Sequence, residues 1–278
     1  MQVTYEYIQA QVKQALAEDI GSGDVTAQLL PALQQANATV IAREPGVLCG
    51  TQWFSEVFHQ LDTKIQIHWQ AEDADNIEAN QTLCTFSGPT RALLSGERVA
   101  LNFLQTLSGT ATLTNQYVNA MGDVGTRLLD TRKTLPGLRL AQKYAVRCGG
   151  GENHRIGLYD MILIKENHIA SQGGVTQAIQ AALQSGEDKM DIEIEVENLQ
   201  QLEEALAAGA KRILLDNFSI ENLIQAVAVT NGQASLEASG NITLENIRTV
   251  AMTGVDFIST GAITKHVHAL DLSMRIQV

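Results

Sequence analysis

The chain has 278 residues, 45% of them hydrophobic, enough apolar content for one barrel-sized domain and a smaller companion. A formal net charge of −12 sets the surface as a whole against nucleic acid and anionic lipid, so an anionic ligand needs a local reversal of sign. Cys49, Cys84 and Cys148 lack the CxxC spacing of a zinc or redox site, and neither a secretory leader nor a run of about 18 apolar residues is present, so a soluble cytoplasmic chain with free thiols is expected.

In chain order, the pattern predicts a helix over 5–17 and strands over 38–42 and 64–69. A long helix follows over 95–117, with Val99, Phe103 and Leu107 at fourfold spacing and Gly109 expected to interrupt or end part of it. Beyond about residue 125 the pattern becomes regular. Short apolar runs at 127–130, 161–165, 191–197, 213–216, 235–239 and 255–260 each end in polar or glycine residues, and amphipathic helices are predicted at 175–183, 199–208, 220–229 and 244–252. Strand, polar tip and helix in repetition mark parallel βα units. No GxGxxG follows the first of these strands, and chemistry-bearing residues end nearly every one, which favours an α/β barrel of fewer than eight strands over an open dinucleotide-binding sheet.

Charge is concentrated in this half. Arg127, Arg132, Lys133, Arg139, Lys143, Arg147, Arg155 and Lys165 are eight of the 19 Lys and Arg, a concentration that implies a pocket for a multiply anionic small molecule. Arg132 and Lys133 stand just past a strand end; Lys143 and Arg147 fit either that pocket or a solvated helix face over 138–147. His154 and Arg155 follow three glycines, expected to form a mobile loop at a ligand. Lys165 ends its strand as either a charge partner or a Schiff-base nucleophile. Glu193, Glu195 and Glu197 alternate with apolar residues, which aims carboxylates at a barrel interior. Asp216 ends the next strand, where it suits Mg²⁺ shared with a glutamate and held mostly through water, while pairing with Lys165 is the competing reading for each of these acids, strongest for Glu193. Ser239-Gly240-Asn241 and Thr260-Gly261-Ala262, 21 residues apart, place small residues where exposed backbone N–H groups bind phosphate.

The blocks Asp130-Thr-Arg-Lys-Thr-Leu-Pro-Gly-Leu-Arg139, Gly150-Gly-Glu-Asn-His-Arg155 and Ile164-Lys-Glu-Asn-His168 closely resemble the quinolinate phosphoribosyltransferase family. The resemblance extends through 18–26, 43–46, 97–102, 215–218, 236–240 and 259–261. It implies an N-terminal α/β sandwich domain (1–115, joined by the tail 270–278) and an incomplete (β/α) barrel (116–269), in a homodimer with sites at the subunit interface. The implied activity is phosphoribosyl transfer from phosphoribosyl pyrophosphate to quinolinate with decarboxylation, giving nicotinate mononucleotide in NAD biosynthesis. Arg132, His154, Arg155 and Lys165 would grip quinolinate with Arg98 from the neighbouring subunit, and Lys133 and Arg139 would lie near the ligands. Glu195 and Asp216 would face ribose and Mg²⁺, and Ser239, Gly240 and Gly261 the 5′-phosphate. Asn241 stands where many relatives have a second glycine, and asparagine tolerates that backbone. A fold-sharing group associated with molybdenum uptake fits the central block less well. A lyase or aldolase using Lys165 covalently on a phosphorylated anion is the rival enzyme class. A nucleic-acid module is disfavoured by the acidity and by the lack of aromatics in the basic cluster.

Overall fold

The computed structural model describes residues 3–185 and 190–277. The elements are α1 (Tyr5–Ile20), β1 (Gln35–Ala42), β2 (Gly46–Val47), α2 (Thr51–Leu61), β3 (Gln66–Trp69), β4 (Asn76–Ile77), β5 (Thr82–Pro89) and α3 (Thr90–Met121). They continue as β6 (Arg127–Leu129), α4 (Arg139–Cys148), β7 (Ile162–Ile164), α5 (Glu166–Gln172), α6 (Val175–Gln184), β8 (Ile192–Val196) and α7 (Leu199–Ala207). The last are β9 (Arg212–Asp216), α8 (Ile220–Thr230), β10 (Ser235–Ser239), α9 (Ile247–Ala251), β11 (Phe257–Ser259), α10 (Ala262–Lys265) and β12 (Leu272–Gln277). Among the described residues no helix is long and apolar enough to cross a membrane. Two compact units form, the first from the residues up to Asn115, Leu140–Gly150 and the chain from Val267, the second from Gln116–Arg139 and Gly151–His266.

In the first unit an antiparallel sheet has the order β12-β1-β5-β3. Alternation along β1 buries Ala36, Ala38, Val40 and Ala42, as a strand with one covered face requires. An aromatic cluster supplies the cover: Phe54 and Phe58 of α2 sit 5.8 and 4.8 Å from Phe86 of β5, ring centre to ring centre. The segment 140–150 joins this unit although it lies in sequence between two strands of the other. Its buried side chains Ala141, Lys143, Ala145 and Val146 explain the attachment, and Tyr144 donates to Asp73 at 2.8 Å and packs on Trp53. Lys143 is therefore a buried cation, 1% exposed, while Arg147 lies on the solvated face.

The second unit holds six parallel strands in the order β6-β11-β10-β9-β8-β7. Consecutive strands are neighbours from β7 to β11, and the last pairs with the first. That is the winding of a closed barrel with a single open seam between β6 and β7. The expected incomplete barrel is what forms. Its helices begin and end on local chemistry: Asn198 accepts from Gln201 N, Ser219 from Asn222 N, and Asn231 at φ 44° closes α8. One predicted helix is shorter than expected, because Asn246 accepts from Thr243 N and donates to Asn241 O, which holds 241–246 as a loop and delays α9 to Ile247.

Gly109 neither interrupts nor ends α3, which runs unbroken for 32 residues. A Cβ at Gly109 would lie 2.0 Å from the His268 carbonyl oxygen, so the glycine serves the packing of the returning chain rather than a helix end. Gly109→Ala is expected to cost at least about 2 kcal/mol through that backbone collision, read as a lower urea midpoint. An unchanged midpoint would refute the close approach.

Candidate functional site

The barrel winding brings the C-terminal ends of all six strands to one face, and a cavity of about 900 Å³ opens there. Its cationic wall carries Arg132 and Lys133 after β6, Arg155 from the loop before β7, and Lys165 at the end of β7. Opposite stand Glu195 of β8 and Asp216 of β9, and the rim is closed by Ser239, Gly240 and Asn241 after β10 and by Thr260 and Gly261 after β11.

Four of the eight clustered cations therefore line the cavity. The other four are accounted for by the fold. Lys143 and Arg147 ride on α4. Arg127 pairs with Glu152 at 3.3 Å and lies over the Phe257 ring. Arg139 does not line the cavity: its guanidinium donates to the carbonyls of Ile156 and Arg132 and to Thr134 Oγ1, so it braces the loops that present Arg132 and Arg155. Arg98 is exposed on α3 in the first unit and is not among the cavity's lining residues.

Arg132 and Arg155 face no carboxylate within ion-pair distance among the described residues. Burial, and then the like charge of Arg132, hold the Arg155 guanidinium below its ordinary value. Asp160, Glu193 and Glu195 act on Arg155 in the opposite sense but only at longer range.

Lys165 forms an ion pair with Glu195, not with Glu193. The register explains the choice, since Leu163 stands opposite Glu193 and Ile164 opposite Ile194, which leaves Lys165 level with Glu195. Glu193 is fully buried one layer deeper and takes other partners, Arg212 Nε at 2.9 Å and His154 Nε2 at 2.8 Å. Burial alone would raise the Glu193 carboxyl, but the hydrogen bond from His154 and the Arg212 guanidinium outweigh it and hold the group below the usual carboxylate range. Glu197 lies beyond the end of β8 and is exposed.

The glycine loop before His154 is pinned rather than slack. Glu152 N donates to Leu128 O, Asp130 N to Glu152 O, and His154 N to Asp130 Oδ1 at 2.9 Å. His154 lines the cavity at 8% exposure, with Nδ1 accepting from Arg155 N at 2.7 Å and Nε2 on Glu193. Both ring nitrogens are engaged by the protein, so the ring borders the cavity while its polar atoms serve the loop and the layer beneath.

At the rim, Asn217 ties two strand tips together. Its backbone N–H donates to Ser239 O, its Nδ2 to Asp216 Oδ2, and its Oδ1 accepts from Asn241 Nδ2 at 3.0 Å. Gly240 sits at φ 98°, and a Cβ there would lie 2.2 Å from Asn217 Oδ1, so both conformation and space demand glycine. Asn241 at φ 50° takes the left-handed backbone expected of it.

Sequence reasoning missed Asn217, Arg212, Glu237 and Lys265. The signal for Glu237 was present: in Ser235-Leu-Glu-Ala-Ser239 it shares the period-two face of Ser239. Lys265, which lines the cavity, follows Gly261 by one helical turn.

Comparison with known proteins agrees with this layout. Residues 24–108 match the family model of the quinolinate phosphoribosyl transferase N-terminal domain, and residues 110–275 that of its C-terminal domain. A probable nicotinate-nucleotide pyrophosphorylase (carboxylating) of Bacillus subtilis is 43% identical, covering 93% of this chain and 90% of its own, and one of Synechocystis is 42% identical over 95% and 91%. Among solved structures, the nicotinate-nucleotide pyrophosphorylase of Francisella tularensis superposes with TM-score 0.93 at 49% identity, covering 99% of this chain and 98% of that one. NadC of Streptococcus pyogenes superposes with TM-score 0.96 at 40% identity, covering 100% and 99%. With both domains matched in order along most of its length, the chain belongs to the quinolinate phosphoribosyl transferase family.

Proposed function

We propose that the cavity of the second unit is the active site in which this family member transfers the phosphoribosyl group of phosphoribosyl pyrophosphate to quinolinate, releasing pyrophosphate and CO₂ and forming nicotinate mononucleotide for NAD biosynthesis. The observation that carries the reading is the pair Arg132 and Arg155, two guanidinium groups without a carboxylate partner on one wall of a cavity in a protein of net charge −12. A ligand with two carboxylates supplies the missing anions.

In this reading quinolinate lies against Arg132, Arg155 and Lys165, with the His154 ring beside it, and Lys133 and the loop brace Arg139 nearby. A substrate carboxylate arriving at Lys165 competes with Glu195 for the ammonium and frees that acid to face the ribose. Lys165 is held in an ion pair with Glu195, a charge-partner role that favours this reading over a covalent one. The 5′-phosphate sits between the tips at Ser239-Gly240 and Gly261, near Lys265. As the bond from C1 of the ribose to pyrophosphate breaks, positive charge grows on the sugar, and Glu195 or Asp216 stabilises it. The pyridine nitrogen then donates its lone pair to C1. The resulting ring cation draws electrons, so the C–C bond to the adjacent carboxylate breaks, CO₂ leaves, and the pair left on the ring carbon takes a proton.

Glu195 and Asp216 offer only hard oxygen donors and are too few to fill an octahedral shell, which fits Mg²⁺ completed by water and substrate phosphates. The ion would supply positive charge at the leaving pyrophosphate. We place the active form as a homodimer whose site receives the partner subunit's Arg98. The exposure of Arg98, together with the apolar side chains of Val25, Leu29 and Leu33 at 78%, 83% and 90% exposure in the same unit, supports that assembly. Three thiols without a disulfide support a cytoplasmic setting.

Purified chain with quinolinate, phosphoribosyl pyrophosphate and Mg²⁺ is expected to yield nicotinate mononucleotide and CO₂, with loss of turnover on chelation; reaction of nicotinate in place of quinolinate would overturn the assignment. Arg155→Ala is expected to lower kcat/KM for quinolinate on the order of 100-fold with little change in thermal stability, and a variant as active as wild type would remove Arg155 from the anion site. Arg98→Ala and Lys165→Ala, each inactive alone, are expected to recover activity when their subunits are mixed and exchanged, since one mixed site then has both residues intact. No recovery in an exchanging dimer would contradict the shared site.

A further inference from the structure

Beneath the cavity lies a layer of charge that the reaction above does not use. Arg212, on the central strand β9, reaches both neighbours at once: Nε donates to Glu193 Oε1 of β8 at 2.9 Å and the terminal nitrogen to Glu237 Oε2 of β10 at 2.9 Å. Both acids are 0% exposed, and His154 closes the layer from above, its Nε2 2.8 Å from Glu193 and 3.5 Å from Glu237. From β11, Ser259 faces Glu237, and Phe257 stacks on Arg212 at 4.8 Å; Arg127 of β6, over that same ring, is paired with Glu152.

The charges do not balance if both acids are ionised. One guanidinium neutralises one carboxylate. His154 does not supply the second charge, because its Nδ1 accepts the Arg155 N–H and so carries a lone pair, which places the ring proton on Nε2 as the donor to Glu193. Glu193 has donors at both oxygens. Glu237 takes the Arg212 guanidinium at Oε2 and has Ser259 beside it, but its buried Oε1 has no hydrogen-bond partner, a poor setting for an anion.

We propose that Glu237 is a positioning residue that carries a proton and thereby keeps the floor of the cavity uncharged, so that an anionic substrate meets Arg132, Arg155 and Lys165 without a net acid behind them. The proposal rests on the anion-binding reading above and deepens it. Burial, and then the negative charge of Glu193, push the Glu237 carboxyl up to about 7. On deprotonation the floor gains one negative charge directly under the dianion, and quinolinate affinity falls. The same proton links to stability: a carboxyl raised in the folded state stabilises the fold at low pH, and that contribution is lost as pH climbs from the ordinary glutamate range through about 7.

The test is direct binding of quinolinate to the full-length protein between about pH 6 and about pH 8.5, wild type against Glu237→Gln, which keeps the shape and removes the ionisation. Wild type is expected to lose on the order of tenfold more affinity than the variant over that range, and the wild-type melting temperature to fall relative to the variant over the same window. Parallel pH profiles would overturn the proposal while leaving the activity assay, and with it the functional reading, untouched. Infrared spectra of glutamate-labelled wild type keep the idea testable if the variant does not fold: a protonated-carboxyl band that titrates near neutral pH is expected, and its absence would equally sink the assignment.

Discussion

A parallel barrel fills its interior with side chains, and in this one that interior includes two fully buried carboxylates, Glu193 and Glu237. Burying them costs more than the fold can carry unless each acid is matched. Arg212 does most of this from the strand between them, and its placement depends on parallel register: Arg212 stands opposite Glu193 on one side and Ser235 on the other, which puts Glu237 within its span. Removing the guanidinium would leave buried charge uncompensated, a loss on the order of 3–5 kcal/mol. The layer lies under the face where the C-terminal ends of all six strands converge.

From that floor the site is ordered upward. Glu193 holds the His154 ring, His154 receives the Arg155 backbone N–H, and Asp130 at the end of β6 takes the His154 N–H at 2.9 Å. The open seam between β6 and β7 is thereby bridged by hydrogen bonds from the loop 151–161 instead of by strand pairing. Arg139 adds a second brace on the same loop through Ile156 O. The backbone that carries Arg132 and Arg155 is thus held in place by the protein itself. Acid is kept apart: Glu195 is paired with Lys165, and Asp216 is held by Asn217.

Much of this was legible in the sequence because period and chemistry agreed. The repeat of apolar run, polar tip and helix identified the barrel, and Arg132, Lys133, Lys165, Glu195, Asp216, Ser239, Gly240 and Gly261 line one cavity because each ends a strand or follows one, while Arg155 reaches it from the loop before β7. What escaped were relations set by long-range packing. Lys143 and Arg147 fitted either a basic pocket or a solvated helix face, and the sequence did not decide between them because their helix belongs to the first unit, a grouping that its contacts with Trp53 and Asp73 reveal. The partner of Lys165 turned on a two-residue register between strands 30 residues apart in sequence. Gly109 carried a helix-breaking signal that tertiary packing overrode, and Glu237 was hidden in a short strand whose alternation was too brief to stand out.

The most direct measurement is a crystal structure of the protein with quinolinate bound. The account predicts the two carboxylates on Arg132, Arg155 and Lys165, with Glu195 released from Lys165 and His154 still joined to Glu193. Quinolinate outside the cavity, or a carboxylate seated on His154 Nε2 with Glu193 displaced, would contradict it.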